Sequence, residues 1–448
     1  MTSPKNNYLV PFIIVTSLFF IWGFITVLVD ALIPRLRDVF TLSYFQAGLV
    51  QVAFFGAYFI VSLPGGQIVS KIGYKRGIIL GLGVMAVGCF LFLPAASIRV
   101  FPLFLLALFV LAGGITLLQV AANPYVVALG PEKTASSRLT LAQAFNSFGT
   151  AIAPLVAASF ILGSEVLSTS EQAALSPEAL DAYRVTEAEA VRVPFLGLGL
   201  ALAVVAVIFL FMHLPSVRST ETAGKRGYGF VLKHRGLMLG ALGIFVYVGA
   251  EVAIGSYIVN YFLSFDVPSM LKSGGVVTGW IEGLSGTPIE EMNPSRIAGT
   301  FVTFYWTGAM IGRFIGSYLA RIIPANLLLA AYAVIAGVLC LTTAGTGGLV
   351  AIWTLLAVGL FNSIMFPTIF SLAINSLPHS RSQGSGVLCA AIVGGAVIPP
   401  LFGLLTDAAG FSIAFILPVV CYAYICFYGL LSKPTHDIAS SEGEPTRA

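Results

Sequence analysis

Charged residues are scarce in this chain of 448 residues. Asp, Glu, Lys and Arg make up 9% of it, while 58% of the residues are hydrophobic. Soluble globular domains carry roughly a quarter charged residues, so the shortage excludes that class. The net charge of +4 is too small to indicate a nucleic-acid-binding surface. We therefore expect a polytopic protein of the lipid bilayer, with no nucleic acid as a partner.

Cysteine and histidine are also few, at five and four residues. The cysteines lie in apolar segments without the spacing of paired metal ligands, as buried packing residues do. The histidines fall at segment ends, in loops or in the tail. The sequence therefore predicts neither a metal site nor a cofactor. It shows no combination of nucleophile, base and metal, so we do not expect an enzyme.

A cleavable signal peptide is not indicated either. The first apolar run, residues 8–33, is too long for a signal h-region and has no small-residue cleavage site. We interpret it as the first of twelve membrane spans of roughly 20 or more residues each. The predicted spans cover residues 9–34, 45–70, 76–97, 101–129, 139–162, 194–213, 237–263, 298–320, 325–345, 349–376, 384–405 and 411–431.

Basic and acidic residues separate between the predicted loops. Lys71, Lys75 and Arg76 follow span 2, and the linker at 214–236 holds five Lys or Arg residues and one acid. The loops after spans 5 and 7 are acidic. Loops rich in Lys and Arg stay in the cytoplasm. We therefore predict a multi-pass protein of the inner (plasma) membrane with both termini in the cytoplasm.

The linker separates six spans from six, and the two sets share a spacing. Pro124 precedes Arg138 by 14 residues, as Pro367 precedes Arg381. Such repetition favours a duplicated all-α transporter fold over a single-copy channel or a membrane enzyme. We predict a six-helix half at 1–213, a basic cytoplasmic linker at 214–236, a six-helix half at 237–432 and a disordered tail at 433–448.

Amide side chains inside the spans are the first candidates for a site. Gln119 and Asn123 share a helix face four residues apart, and Gln143 and Asn146 do so three residues apart. Unpaired amides are costly in apolar surroundings, so they should face a partner or a watery cavity. The alternative is that they only join neighbouring helices.

Two carboxylates also lie within predicted spans: Asp30 in the outer third of span 1 and Glu251 near the middle of span 7. Ionisable groups in the membrane typically mark a functional path. A desolvated carboxylate binds a proton more readily, and carboxylate oxygens also suit Na⁺. The structural alternatives are ion pairs of Asp30 with Arg35 or Arg37, and of Glu251 with Arg313.

Longer motifs extend over nearly the whole chain. They include FFIWG at 19–23, AANPY at 121–125, RLTLAQAFNSFG at 138–149, YVGAE at 247–251 and FPTIFSL at 366–372. With these motifs the chain resembles the fucose–hexose–proton symporter family of sugar permeases, within the major facilitator superfamily. The resemblance implies twelve transmembrane helices in two six-helix halves, and a protein that works as a monomer.

In the fucose permeases of that family, functional carboxylates lie in helices 1 and 4. The first position is Asp30 here, whereas the second is Gln119, which cannot titrate. Glu251 stands in helix 7, where the fucose permeases carry glutamine. The resemblance thus implies that one acid has moved from helix 4 to helix 7. It favours a hexose or N-acetyl hexosamine, such as glucose, galactose or N-acetylglucosamine, over fucose.

We therefore expect a secondary transporter that imports a monosaccharide with H⁺ or Na⁺ through alternating access. The alternatives are a fucose-type deoxysugar symporter, an uncoupled sugar facilitator and a proton-driven drug exporter, which would need a more apolar pocket. A sugar sensor would need a sizeable cytoplasmic domain, and we expect only the short linker and the tail there, which argues against a sensor.

Under this hypothesis the candidate residues take four roles. The sugar hydroxyls are held by Gln119, Asn123, Gln143, Asn146, Glu251 and Asn362. The apolar face of the ring stacks on aromatic residues, namely Trp22, Tyr305, Phe301 or Trp306. The coupling charge is carried by Asp30 and Glu251. Gating or structural roles fall to Arg138, Arg381, Arg313 and Asp407.

Overall fold

The computed structural model describes residues 8–40, 44–98, 100–160, 174–212, 214–215, 227–264, 275–377 and 379–432. In these ranges the regular structure is helical, without a strand. The side chains at 28–48 and 154–160 lie outside the description. The predicted tail at 433–448 and most of the linker at 216–226 lie outside it as well.

Twelve long helices correspond to the twelve predicted spans. They are α1 (Leu9–Phe40), α2 (Tyr44–Ile72), α3 (Tyr74–Ile98), α4 (Phe101–Ala128), α5 (Ala135–Phe160), α6 (Pro177–Phe211), α7 (Arg235–Ser264), α8 (Pro294–Ile322), α9 (Ala325–Gly345), α10 (Gly348–Asn362, continued by Met365–Asn375), α11 (Arg381–Ala390, continued by Gly394–Ala409) and α12 (Phe411–Ala414, continued by Ile416–Leu431). Shorter helical pieces lie at Glu132–Thr134, Tyr228–Val231, Val276–Ser285, Ile289–Glu291 and Ala391–Val393. The prediction of an all-α polytopic fold is confirmed.

Among the described residues, ten helices are long and apolar enough to cross a bilayer. The two long helices outside this set are α5 and α8. Both carry polar residues along their length: α5 holds Gln143 and Asn146, and α8 holds Arg313. In α8 the polar residues, Arg313 among them, lower the hydropathy, whereas the apolar end of α5 at 154–160 lies outside the described side chains and does not count toward its hydropathy.

Helix α6 begins earlier than predicted, within the acidic stretch that we expected to be a loop. Ser176 Oγ accepts a hydrogen bond from the Ala179 N–H, Pro177 occupies the first turn and Glu178 follows it. These are the preferred residues of a helix start. With 35 residues the helix is about 50 Å long, well beyond the roughly 30 Å of bilayer hydrocarbon. The apolar pattern identified its membrane part alone.

Helix α10 is interrupted between Asn362 and Met365. The second piece restarts with a bond from the Thr368 N–H to the Ile364 carbonyl, at 3.0 Å. Pro367 lies in its first turn, where the missing N–H of proline costs no helical hydrogen bond. The interruption was not predicted, and it leaves Asn362 at the end of a helix piece.

By contacts the chain forms two compact units that do not follow chain order. The first comprises Met1–Gly130, Phe145–Val231 and Leu377–Ala390; the second comprises Pro131–Ala144, Leu232–Ser376 and Ala391–Ala448. The start of α5 therefore belongs with the second unit, and the start of α11 with the first. The sequence divided the chain at the linker, and that division remains a prediction.

Small residues set the packing inside each unit. In the first, a Cβ on Gly81 would come within 2.8 Å of the Leu118 amide nitrogen, so α3 and α4 are in backbone contact there. In the second, a Cβ on Gly240 would come within 2.6 Å of the Ala373 side chain, between α7 and α10. Such close approaches stabilise helix pairs in lipid, where the hydrophobic effect does not drive association.

Candidate functional site

The polar face of α4 lies in the interior of the first unit. Gln119 is 5% exposed, and its Nε2 donates to Tyr58 Oη of α2 at 2.6 Å. Asn123 is fully buried, and neither its oxygen nor its nitrogen has a hydrogen-bond partner among the described residues. A buried amide without partners costs about 1–3 kcal/mol. Gln119 thus joins two helices, whereas no described contact accounts for the buried amide of Asn123.

Helices α1 and α5 cross closely in the same unit. Asn146 Nδ2 donates to the Phe19 carbonyl at 3.0 Å, and a Cβ on Gly23 would lie 2.7 Å from that nitrogen. Trp22 is buried beside this crossing, with its ring centroid 5.5 Å from that of Phe19. Asn146 therefore joins two helices through its nitrogen.

For two further predicted site residues, Gln143 and Asp30, the structure gives only their positions in the helices. Gln143 is buried on α5, in the part of the helix that belongs to the second unit. Asp30 falls within α1, but its side chain lies outside the described part of the chain.

The second unit brings a carboxylate and an arginine together. Glu251 Oε1 is buried and has no hydrogen-bond partner among the described residues. Tyr247, one turn earlier on α7, and Arg313 of α8 are its electrostatic neighbours. Arg313 Nε donates to the Ser363 carbonyl at 3.2 Å, in the interruption of α10. The helix break thus anchors the cation that faces Glu251.

Asn362 and Tyr305 form the other side of this group, and both are fully buried. Asn362 Nδ2 donates to Tyr305 Oη at 2.9 Å, while Asn362 Oδ1 has no partner among the described residues. Tyr422 Oη of α12 is also buried without a described partner, and Tyr305 and Asn362 are its electrostatic neighbours. We call Tyr247, Glu251, Tyr305, Arg313, Asn362 and Tyr422 the Glu251 cluster.

Sequence reasoning missed three tyrosines of these sites: Tyr58, Tyr247 and Tyr422. Tyr247 carried a signal, because it precedes Glu251 by one helical turn inside the YVGAE motif. Tyr58 and Tyr422 carried none, since their partners are distant in the chain. Of the aromatic candidates, Phe301 and Tyr305 are fully buried, whereas Trp306 is 44% exposed.

Of the four predicted gating or structural residues, Arg313 lies inside α8, and the other three lie near helix starts and ends. Arg138 Nη1 donates to the Pro131 carbonyl at 2.8 Å and to Thr134 Oγ1 at 2.5 Å, which closes the turn before α5. Arg381 is half-buried at the start of α11. Asp407 is exposed near the end of α11. Arg138 and Arg381 thus occupy corresponding helix starts, as their repeated spacing from proline suggested.

Each of these helix starts is fixed by polar contacts within its unit. In the second unit Ser137 Oγ donates to the Ser317 carbonyl at 2.7 Å, and Ser317 Oγ donates back to the Ser137 carbonyl at 3.1 Å. In the first unit Gln383 Nε2 donates to Gln67 Oε1 at 3.2 Å. The Tyr228 hydroxyl donates to the Leu63 carbonyl next to this contact.

No group of three or more His, Cys, Asp or Glu side chains within the described ranges is arranged to hold a metal ion. The chemistry that these sites offer is hydrogen bonding by amides and phenols, with one carboxylate and one guanidinium in the second unit.

The chain matches known proteins over almost its full length. Residues 11–391 match the family model described as Major Facilitator Superfamily. A glucose/galactose transporter of Brucella abortus is 52% identical over 433 residues, which cover 96% of each chain. A putative glucose/galactose transporter of Helicobacter pylori is 42% identical, covering 93% of this chain and 95% of the relative.

The chain is also similar to a fucose:proton symporter, both in sequence and in structure. The L-fucose-proton symporter of Escherichia coli is 36% identical over 440 residues, covering 96% of this chain and 95% of the relative. A crystal structure of the Escherichia coli fucose:proton symporter superimposes with a TM-score of 0.83 at 35% identity, covering 95% of this chain and 99% of that one.

Proposed function

The chain belongs to the major facilitator superfamily, whose members are transporters, and on that premise we propose that it imports glucose or galactose together with a proton. The substrate follows the names of two relatives, the glucose/galactose transporters of Brucella abortus and Helicobacter pylori. The proton follows the name of the related L-fucose-proton symporter. Import takes place by alternating access of one site to the two sides of the membrane.

The Glu251 cluster is the observation that carries this proposal. Oxygen atoms of Glu251, Asn362 and Tyr422 are buried in an apolar helix bundle without a described partner. Buried polar groups without partners are rare in folded proteins. Adjacent hydroxyls of a pyranose supply both donors and acceptors, which matches a carboxylate, an amide and a phenol. Drug exporters bind apolar compounds, and this polar group argues against that alternative.

The α4 face of the first unit is a further set of candidate sugar-binding groups in our proposal. Asn123 offers both a donor and an acceptor, and Gln119 keeps its oxygen free to accept while its nitrogen is bonded to Tyr58. Gln143 and Asn146 supply further amides, and Trp22 and Tyr305 supply aromatic surface for the ring. Fucose is not favoured, because Gln119 stands where the fucose permeases of the family carry their second acid.

Coupling falls to Glu251 in this mechanism, with Asp30 as a second carboxylate. A protonated Glu251 is neutral and can donate to a sugar hydroxyl, so proton and sugar stabilise the same loaded state. After the sugar has left, loss of the proton restores a charge that Arg313 attracts. Arg313 thereby makes release of the proton less costly than it is for an isolated buried acid.

We also place the protein in the inner membrane as a monomer, with both termini and the basic linker in the cytoplasm. The distribution of Lys and Arg supports this orientation: Lys71, Lys75 and Arg76 surround the link between α2 and α3. The acidic residues at the start of α6 then lie outside. Accessibility of single cysteines placed at Glu178 and at Lys233 to an impermeant thiol reagent tests the orientation directly.

Uptake into proteoliposomes tests the proposed function. Labelled glucose, galactose, N-acetylglucosamine and fucose are offered under an imposed pH gradient, under a Na⁺ gradient and under neither. We expect accumulation of glucose or galactose above the outside concentration with the pH gradient alone. Equilibration without accumulation under every gradient contradicts symport and indicates a facilitator. Accumulation under the Na⁺ gradient alone contradicts the proton.

A further inference from the structure

The segment between α7 and α8 contains a short helix outside the sites described above. It covers Val276–Ser285 in the second unit, and we call it the loop helix. It ends at Gly286, which has a left-handed backbone (φ 65°) and donates its N–H to the Glu282 carbonyl at 2.8 Å. This is a common helix end that glycine adopts without strain. The loop helix therefore has a defined boundary before the turn that leads to α8.

One face of the loop helix packs against the protein. Ile281 is fully buried, and Thr278 is buried one turn earlier. Glu282 Oε1 accepts a hydrogen bond from the Ile289 N–H at 3.0 Å, and the Ile289 side chain is buried as well. These contacts join the loop helix to the turn at Ile289–Glu291, so its orientation on the protein is fixed.

The other face is apolar, and no described residue covers it. Trp280 is 53% exposed and Leu284 is 57% exposed, and residues four apart share a helix face. A Cβ on the neighbouring Gly279 or Gly283 would have no heavy atom within 4 Å. A helix between protein and water carries polar residues on its outer face. The large apolar side chains on this face therefore need another environment than water.

Trp280 contacts α8 at the level of the bilayer hydrocarbon. The centroids of the Trp280 and Phe304 rings are 6.4 Å apart. Phe304 follows Pro294, the first residue of α8, by ten residues, or about 15 Å along the axis. The 29 residues of α8 span about 43 Å, which exceeds the roughly 30 Å of hydrocarbon by about 13 Å. Even if this whole excess extended from the Pro294 end, Phe304 would still lie at hydrocarbon level.

The contact lies on the lipid-facing side of α8. This helix has one exposed apolar stripe with helical spacing, which consists of Ile311, Ile315, Tyr318 and Ile322. Phe304 precedes Ile311 by seven residues and so belongs to the same stripe. Tyr305 and Arg313, which belong to the Glu251 cluster, lie on other faces of α8. A continuous exposed apolar stripe on a membrane helix faces lipid chains. The uncovered face of the loop helix thus continues a surface that lipid already contacts.

We propose that the loop helix lies in the bilayer and that lipid covers its exposed face. Trp280 and Leu284 insert at the boundary between headgroups and chains, where tryptophan is enriched because its ring is apolar and its N–H is polar. In the proposed orientation α7 begins on the cytoplasmic side, so this lipid belongs to the outer leaflet. The proposal does not depend on which sugar or cation the protein carries.

The charge of the segment indicates what drives the insertion. Residues 275–293 contain Glu282, Glu290 and Glu291 but no Lys or Arg. Basic interfacial helices bind membranes partly through anionic headgroups, and this source of affinity is missing here. Burial of apolar surface remains. Insertion should therefore be as deep in phosphatidylcholine as in a mixture with phosphatidylglycerol.

Spin labels on the full-length protein in nanodiscs test the proposal. The label is placed at Leu284→Cys on the loop helix, at Ile315→Cys on the α8 stripe as the lipid reference, and at Glu290→Cys in the following turn as the water reference. The unsubstituted protein, treated in the same way, gives the background of the native cysteines, four of which are buried. Collisions of each label with oxygen, which concentrates in lipid, are compared with those of a water-soluble nickel chelate. We expect the oxygen-to-nickel ratio at Leu284 to be several-fold higher than at Glu290 and close to that at Ile315.

Tryptophan fluorescence gives an independent measurement without a label. Trp280→Phe keeps an aromatic ring against Phe304, and the emission that it removes is the emission of Trp280. We expect lipids with brominated chains to quench this part of the emission, more strongly when the bromine lies near the headgroup than at the chain end. Aqueous acrylamide should quench it less than bromolipid does.

Three outcomes overturn the proposal. A ratio at Leu284 equal to that at Glu290, with quenching of Trp280 by acrylamide alone, places the loop helix in water. Exclusion of both oxygen and nickel from Leu284 shows that protein, such as a second copy of the chain, covers the face. Insertion that requires phosphatidylglycerol shows attraction by charge. Sugar uptake enters none of these measurements, so their failure is distinct from failure of the proposed transport function.

Discussion

The polar face of α4 in the first unit and the Glu251 cluster in the second are both buried, yet they differ in charge and in hydrogen bonding. The α4 face is neutral: Gln119 is bonded to Tyr58, and Asn123 has no described partner. The Glu251 cluster holds a carboxylate and a guanidinium beside the bonded pair of Asn362 and Tyr305. The difference suggests that one site recognises hydroxyls while the other also carries the titrating charge.

Glu251→Gln removes that charge and should give the largest effect. We expect gradient-driven accumulation of sugar to fall by about 5- to 150-fold, the usual range of a coupling free energy. Exchange of sugar across the membrane at equal concentrations should persist, because a glutamine still hydrogen-bonds hydroxyls. Accumulation and counterflow in proteoliposomes measure the two activities.

Glu290→Gln is the matched control, since Glu290 is an exposed acid in the turn before α8. It should leave accumulation unchanged. Unimpaired accumulation by Glu251→Gln contradicts its coupling role. The double variant Gln119→Glu, Glu251→Gln sharpens the comparison further, because it returns the acid to helix 4. If it alters neither substrate range nor cation dependence, the two regions do not divide the work as proposed.

The two asparagines provide the next contrast. Asn123→Leu removes a buried amide without described partners, so it should raise the thermal midpoint while reducing sugar uptake about tenfold or more. Asn362→Leu removes the donor to Tyr305 Oη and should lower both the midpoint and uptake. Thermal unfolding in detergent and initial uptake rates check the pair. A lower midpoint for Asn123→Leu shows that this amide serves the fold.

Substitution of two tyrosines should change stability in the same contrasting way as the two asparagines, but by less. Tyr58→Phe leaves the Gln119 Nε2 donor without its acceptor and should destabilise the first unit by about 1–3 kcal/mol. Tyr422→Phe removes a hydroxyl without a described partner, so the midpoint should stay level or rise while the apparent affinity for sugar weakens. Equal midpoints for both variants contradict the assigned difference.

The apolar pattern predicts the twelve helices because each bilayer crossing requires a long apolar run, and such runs are visible in the sequence. It does not predict the first turns of α6, which depend on Ser176 and Glu178 as capping residues outside the membrane part. The break after Asn362 has a local signal that we did not use: Pro367 has no N–H to donate to the Ser363 carbonyl four residues earlier, so a continuous helix is disfavoured at this point.

For the candidate site, too, some residues could be predicted from the sequence and others could not. Gln119, Asn123, Glu251 and Asn362 stand out because polar residues are rare in apolar spans. Their partners do not, since the donor–acceptor pair of Gln119 and Tyr58 joins residues 61 positions apart, and that of Asn362 and Tyr305 joins residues 57 apart. The suggestion that an acid moved from helix 4 to helix 7 came from family resemblance. The neighbours of the two positions, Tyr58 for Gln119 and Tyr247 with Arg313 for Glu251, came from the fold.

The smallest expected effect comes from a change at His234, which should alter the pH dependence of stability but not that of transport. His234 precedes α7 in the second unit. Its Nδ1 accepts a hydrogen bond from the Leu237 N–H at 3.3 Å and so caps the helix. Burial lowers the pKa of His234 below its ordinary value. The unfolded chain then binds this proton more readily than the folded one.

His234 therefore contributes its full stability above the ordinary histidine pKa of about 6.5 and loses it as the pH falls below that value. His234→Asn keeps a capping oxygen but does not titrate. We expect the drop in thermal midpoint between pH 7.5 and pH 5.5 to shrink by a degree or two in this variant, while the pH dependence of uptake keeps its shape. The opposite result would be that uptake loses its pH dependence in His234→Asn and keeps it in Glu251→Gln. The proton would then act at the His234 helix cap, and the Glu251 carboxylate would not couple proton binding to transport.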